Sequence, residues 1–276
     1  MGFQVRMSVD LREHAADTEI QRVASALSTT LVTEGARRSR RTIGLRSGRD
    51  TWVRIEARPV ERIEGWNGAE CSSTLCGVAR PEWYRSVTWR DGELMWRADE
   101  TALVTDETIK RGPILTEAPD LSDAWWATLT GSLAALARHA TTRVATQTMV
   151  PLTQERVTSL VQSAYPDVDA TVDEWAAAHG DFGWQNLTAP GCVILDWEDW
   201  GMAPRGYDAA ILWHTSLAVP ALADRVYREL RADLDTRSGL LSQLMFCAMA
   251  ARVPPGFEQL TAPALAQAPR ILDQLG

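Results

Sequence analysis

The sequence is almost without lysine: of its 28 basic residues, Lys110 is the single lysine and the other 27 are arginine. Chemistry that needs an ammonium group has one residue to draw on, and positive charge elsewhere comes as the planar guanidinium fork. Cysteine is scarce as well. Cys71, Cys76, Cys192 and Cys247 form no CxxC pair, which excludes a disulfide scaffold and is expected of reduced core thiols. No charged-then-apolar leader opens the chain, and no uninterrupted apolar run approaches the roughly 20 residues of a membrane span, so a cytoplasmic protein with no membrane partner is expected. Net positive charge is missing too, since 28 Lys and Arg stand against 36 Asp and Glu for a formal charge of −8. A nucleic acid finds little electrostatic footing on such a surface, whereas a cationic small molecule would be drawn to it. No internal repeat or low-complexity tract occurs.

What is present is a core-forming chain, 276 residues long and 45% hydrophobic, enough for one large domain or two small ones. An amphipathic helix opens 18–32 and runs into β-branched residues. Strands are expected near 29–33, 41–46 and 50–57, separated by turns at Gly35 and Ser47-Gly48. GAECSSTLCGV (68–78) reads as a short helix, and WYRSVTWRDGELMWRADE as a hairpin turning at Asp91-Gly92. From Ser122 the periodicity becomes helical, with helices expected from Ser122, over 153–165, 207–217, 220–235 and 237–252. Segment 99–121, with Gly112, Pro113 and Pro119, reads as the connector between a β-rich first half and a helical second half.

The informative stretch is HGDFGWQN (179–186), followed ten residues after its asparagine by Asp196 in ILDWEDWG. Three oxygen-bearing side chains this close suit a hard cation, an activated hydroxyl or the capping of turns. Between Asn186 and Asp196 lies LTAPGCVIL, a hairpin signal. A turn centred on Pro190-Gly191 pairs residue 186 near residue 195, and opposed ladder positions stand roughly 4.5–5.5 Å apart. An amide oxygen and a carboxylate brought to one point suit Mg²⁺, which keeps waters and takes other ligands from phosphates. Asp181 precedes them on an irregular loop, placed to accept a proton from a hydroxyl. Glu198, two residues beyond Asp196 along an extended chain, would face the same cleft, where it binds metal, orients a water or only meets solvent.

This constellation resembles the aminoglycoside phosphotransferase and choline kinase branch of the kinase-like fold. The resemblance implies an α+β, bilobal protein-kinase-like architecture, with a small β-rich N-terminal lobe over 1–105 that binds nucleotide and a larger, mainly helical lobe over 106–276 for catalysis and acceptor. It implies Asp181 as catalytic base, Asn186 and Asp196 as Mg²⁺ ligands, His179 as support of the loop, and Asp208 in GMAPRGYDAA as its brace. For Asp208 a helix N-cap is a compatible simpler role.

The N-terminal half departs from the family. A lysine is expected on the third strand, paired with a helix glutamate, and this chain offers Arg54 in TWVRIEA, with Glu70 as the expected partner. Arginine keeps the charge and can chelate two oxygens. Trp52 shares a face with Arg54, where its indole would stack on a purine or serve packing as one of twelve tryptophans. GARRSRR (35–41) stands where the family covers the phosphates; it is poor in glycine but carries four arginines, as side-chain grips or as a solvated tip.

The implied activity is ATP- or GTP- and Mg²⁺-dependent transfer of the γ-phosphoryl group to a hydroxyl of a small molecule. Only eleven residues separate Asp196 from Asp208, too few for a long peptide-docking segment. By family analogy, Asp173 and Glu174 suit an amine-bearing acceptor, an aminoglycoside-like or other antibiotic. Two other readings remain open: a kinase-like scaffold that binds nucleotide without turnover, favoured by the missing lysine, and a two-carboxylate hydrolase using Asp181 and Asp196. The sequence names neither the acceptor, nor the base of the donor, nor an oligomeric state.

Overall fold

The computed structural model describes residues 9–110, 115–147, 149–253 and 258–276, and the chain divides into two units. The first comprises residues up to Ser73 and Pro81–Thr105; the second comprises Thr74–Arg80 and Asp106–Gly276.

In the first unit, α1 (Asp17–Ala26) precedes β1 (Leu31–Arg38), β2 (Thr42–Ser47) and β3 (Thr51–Pro59). A short helix, α2 (Gly68–Ser72), leads to the hairpin of β4 (Trp83–Asp91) and β5 (Leu94–Ala102). All five strands are antiparallel in the order β1-β2-β3-β5-β4. Alternation along the strands divides the sheet chemically. Val53, Ile55 and Ala57 join Ile43, Leu45, Trp96 and Ala98 in a core that also takes Ile20, Val23 and Leu27 from α1 and its end. Each such aliphatic side chain contributes about 1.5–3 kcal/mol by leaving water. The opposite face carries Trp52, Arg54, Glu56 and Arg58 of β3, opposed on β5 by Thr101, Asp99, Arg97 and Met95.

Three expectations are corrected here. β1 extends through Gly35 to Arg38, because Arg37 and Arg38 pair with Gly44 and Ile43 of β2; the tip of GARRSRR is reduced to Ser39–Arg41. The helix expected over 68–78 stops at Ser72. The connector expected from 99 begins later, since Asp99–Ala102 complete β5; Gly112 and Pro113 lie outside the described residues.

The second unit opens with β6 (Glu107–Thr108) and α3 (Asp123–Ala137), whose N-cap Ser122 accepts from Trp125 N. Then come β7 (Thr146–Gln147), β8 (Val150–Pro151) and α4 (Gln154–Gln162), capped by Thr153. β9 (Trp175–Ala178), β10 (Thr188–Ala189) and β11 (Gly201–Pro204) frame the motif region. The helices α5 (Tyr207–Ser216), α6 (Pro220–Leu234), α7 (Arg237–Ala250), α8 (Glu258–Leu265) and α9 (Ala268–Leu275) follow. α7 is buried on nearly every side, as expected of a helix whose sequence lacks a polar face. Among the described residues, no helix is long and apolar enough to cross a membrane.

Candidate active site

The motif HGDFGWQN is held by what it buries. β9 pairs antiparallel with β11, Gly201 opposite Ala178, and delivers His179 to the end of that ladder. Phe182 and Trp184 are fully buried while Asp181 and Gln185 are exposed, so the loop is pinned by its aromatics and presents its carboxylate outward. Trp184 Nε1 donates to Ser216 Oγ at 2.9 Å, and its ring lies 6.2 Å from that of Trp125, whose own Nε1 donates to Thr188 O at 2.8 Å. Gly180 stands at φ 87°, where a side chain is strained, and a Cβ there would lie 2.7 Å from Asp199 O.

Asp208, 5% exposed near the start of α5, accepts from His179 N at 2.6 Å and from Gly180 N at 3.0 Å. Burial pushes its pKa up; the charge of His179 and the two N–H donors oppose that shift. It is a brace of the turn rather than a cap of its own helix, for the N-terminus of α5 has no side-chain cap. His179 contributes a second tie, its Nε2 bonded to Leu195 O at 2.8 Å, with the ring edge-on to Trp197 at 4.8 Å.

The hairpin register places the next residues. Leu187 bridges Ile194 and Leu195 N donates to Asn186 O at 2.8 Å, so residue 186 does lie opposite 195, immediately before Asp196. Asn186 Nδ2 donates to Asp181 O at 2.7 Å and to Asp181 Oδ2 at 3.0 Å. With its nitrogen turned to Asp181, the amide leaves its oxygen for a cation. Asp196 is exposed and its backbone is left-handed, φ 63°. An amide oxygen and a carboxylate are hard donors that fit Mg²⁺. Among the described residues no cluster of three His, Cys, Asp or Glu could hold a metal alone, so a cation at this point would complete its shell with water and phosphate. Glu198 is half-buried, and its carbonyl accepts from Arg143 Nη2 at 3.2 Å.

The acidic pair expected to meet an amine is engaged within the chain. Asp173 accepts from Ser238 Oγ at 2.5 Å, and Glu174 pairs with Arg205 at 2.7 Å. They anchor the start of β9 to α7 and to the turn before α5.

On the polar face of the first unit, Glu70 is met by Arg97 of β5, not by Arg54: Arg97 Nη2 lies 2.9 Å from Glu70 Oε2. Arg97 also forks onto Asp99 at 2.7 and 2.6 Å, and Trp83 Nε1 donates to the same carboxylate at 2.9 Å. Arg54 instead pairs with Glu56 at 3.0 Å, and Glu56 with Arg58 at 2.5 Å. The pleat accounts for the Arg54–Glu56 pair, since residues two apart share a face of one strand. Arg54 is 25% exposed, against 5% for Arg97. The Trp52 indole lies across Gly44, where a Cβ would meet it, and the Arg37 guanidinium sits 5.8 Å from its ring centre. Arg38 is spent on Leu11 O and His14 O at 2.9 and 3.1 Å. Sequence reasoning missed Arg97 because ion pairing across a ladder depends on register, which composition does not reveal. It missed Arg143 because nothing in TTRVAT marks a contact with residues 198–200.

A five-stranded antiparallel sheet followed by a helical unit carrying a braced carboxylate and an adjacent amide defines a kinase-like fold. The chain belongs to the phosphotransferase enzyme family, whose sequence model matches residues 78–240, more than half its length. A comparison with curated proteins found no match. Solved structures share the fold. An amicoumacin kinase in complex with AMP-PNP, Ca²⁺ and its ligand is 9% identical with TM-score 0.53, over 95% of this chain and 93% of that one. A thermostable aminoglycoside phosphotransferase APH(4)-Ia, in ternary complex with AMP-PNP and hygromycin B, is 11% identical with TM-score 0.56, over 94% and 99%. The GDP complex of aminoglycoside 2'-phosphotransferase-IIIa is 11% identical with TM-score 0.56, over 94% and 98%.

Proposed function

We propose that the protein transfers the γ-phosphoryl group of ATP or GTP to a hydroxyl of a small molecule, with Mg²⁺ as cofactor. The observation that supports this reading is the placement of Asn186, whose side-chain nitrogen donates to the Asp181 carboxylate and whose main-chain oxygen accepts from Leu195 N, immediately before Asp196. Asp181 is exposed, and an acceptor hydroxyl donating to it becomes oriented for in-line attack. As the oxygen–phosphorus bond forms, the bond from the γ-phosphorus to the bridging oxygen breaks, the nucleoside diphosphate leaves, and the hydroxyl proton passes to Asp181. Mg²⁺ bound by Asn186 and Asp196 would supply charge neutralisation across the phosphate oxygens, with Glu198 an outer carboxylate beside them.

In this reading the first unit takes the nucleotide, Arg54 the phosphates and Trp52 the base, while Glu70 acts through Arg97. Support for Arg54 is its partial exposure on a face where Arg97 is buried against two carboxylates. Both AMP-PNP and GDP occur in the related folds, so either purine nucleotide is proposed as donor. Antibiotics with amino and hydroxyl groups are the proposed acceptors, on the analogy of the hygromycin B complex, in a cytoplasmic setting that provides nucleotide and Mg²⁺. One observation favours a second reading, a binder without turnover: Arg54 is ion-paired with Glu56. The test is phosphate transfer from labelled ATP and GTP to a panel of amino-sugar, nucleoside and peptide antibiotics, beside calorimetric nucleotide binding with and without Mg²⁺. Binding without transfer selects the second reading, and absence of binding removes both.

A further inference from the structure

We infer that Arg143 is a positioning residue for the metal site: it fixes the backbone of Glu198–Trp200 and, through it, the direction of Asp196. The inference rests on the function proposed above, which makes Asp196 a metal ligand.

Residues 143–146, between α3 and α4, run alongside the chain that leaves the hairpin. Val144 bridges Met202 in parallel; Ala145 N donates to Met202 O at 3.0 Å and Met202 N to Arg143 O at 2.7 Å. Contact is so close that a Cβ on Gly201 would lie 2.5 Å from Ala145 N. Thr146 N donates to Asp199 O at 2.9 Å, and the Thr146 hydroxyl bonds the Asp199 carboxylate. The Arg143 side chain supplies what the backbone does not: Nε donates to Trp200 O at 3.1 Å and Nη2 to Glu198 O at 3.2 Å, while the guanidinium lies 5.2 Å from the Trp200 ring centre. His139 closes on the same indole edge-on, at 5.9 Å.

Three successive carbonyls, 198, 199 and 200, are therefore held by one four-residue segment, two of them by one fork. The left-handed turn at Asp196 lies two residues upstream of Glu198, and Trp197 between them is buried with its Nε1 donating to Ile194 O at 2.7 Å, so the carbonyls held by Arg143 and Thr146 fix the chain that leaves this turn. The Asp199 carbonyl also occupies the space beside Gly180, so the segment holds the chain that follows Asp196 against the turn that carries Asp181. A lysine at 143 would retain a charge over the indole but could not serve two carbonyls in a fixed fork geometry. Residues that orient ligands without touching the metal typically change metal affinity 10- to 100-fold when lost.

The experiment measures how Mg²⁺ strengthens AMP-PNP binding, by calorimetry on the full chain, for wild type, Arg143→Ala and Arg143→Lys. The Mg²⁺ concentration giving half of the enhancement is expected to rise roughly 10- to 100-fold in Arg143→Ala and less in Arg143→Lys. AMP-PNP affinity in EDTA should stay within about twofold of wild type, since metal-ligand orientation does not act on the metal-free complex. Ethylguanidinium should restore part of the Mg²⁺ response in the alanine variant only. An unchanged half-point in either folded variant overturns the inference, as does an equal loss of affinity in EDTA, or a wild type whose binding ignores Mg²⁺. If wild type binds Mg²⁺-AMP-PNP as expected but transfers no phosphate, the kinase function falls while the role of Arg143 stands.

Discussion

Replacing Asp208 with alanine removes a carboxylate that is 5% exposed and takes the His179 and Gly180 N–H groups at 2.6 and 3.0 Å. Hydrogen bonds to a charged acceptor contribute about 1.5–3 kcal/mol each, and a buried N–H left without a partner costs about 1–3 kcal/mol. The whole sum is not lost. Burial raises the pKa of Asp208, so its ionised form carries a desolvation cost that the variant escapes. We expect a net loss of about 3 kcal/mol, or about 6–12 °C in Tm at roughly 2–4 °C per kcal/mol for a unit of this size. Asp208→Asn keeps one acceptor but turns an amide N–H₂ toward the other donor, so it should lose about 1–2 kcal/mol, between wild type and alanine. Urea midpoints at pH 7 give the order. An alanine variant within about 0.5 kcal/mol of wild type, the range of an ordinary surface change, would refute the bracing argument, and so would an asparagine variant less stable than alanine.

Asp181→Asn should slow phosphate transfer by about 10²- to 10⁴-fold with nucleotide affinity nearly unchanged, because the amide keeps the size and the bond from Asn186 but cannot take the proton. Wild-type turnover in that variant would sink the base assignment, and lost nucleotide binding would recast Asp181 as a metal ligand. Arg97→Ala should cost about 3–5 kcal/mol by leaving the buried Asp99 carboxylate without its fork, and more than Arg54→Ala; equal urea midpoints for the two would contradict this. Burial lowers the pKa of His214 to about 4, so the unfolded chain binds its proton below about 6.5 while the folded chain does not. Stability from this residue is thus complete above pH 6.5 and lost as pH falls toward 4, about 2 kcal/mol of it by pH 5. Urea midpoints from pH 7 to 5 should show this decline in wild type and less of it in His214→Leu.

Legibility in the sequence followed the range of the forces involved. The Asn186-to-Asp196 geometry was readable because a tight hairpin fixes register locally, and the Leu195-to-Asn186 bond is that register. Helices α3 to α7 were readable from periodicity and from caps such as Ser122 and Thr153. What could not be read depends on which residues meet across a sheet or between distant segments. Arg54 and Arg97 are both arginines on strands, and which of them meets Glu70 of α2 is decided by tertiary contact. The short β6–β10 and β9–β11 ladders escaped notice because two- to four-residue strands carry no period; the paired residues Thr108 and Thr188 lie 80 apart in the chain, and Ala178 and Gly201 lie 23 apart.

The seven residues Thr74–Arg80 belong to the second unit although the first continues on both sides of them. Ala79 O accepts from Ile194 N at 2.8 Å, two residues before Asp196, and Ala79 N donates to Ser132 Oγ at 3.1 Å. The second unit is therefore discontinuous along the polypeptide, and no single scission isolates it. A fragment beginning at Asp106 would lose the carbonyl that Ile194 N meets. On a ribosome, Ile194 emerges long after its partner at 79, so this segment can reach its final alignment only by docking onto chain that was synthesised more than a hundred residues earlier.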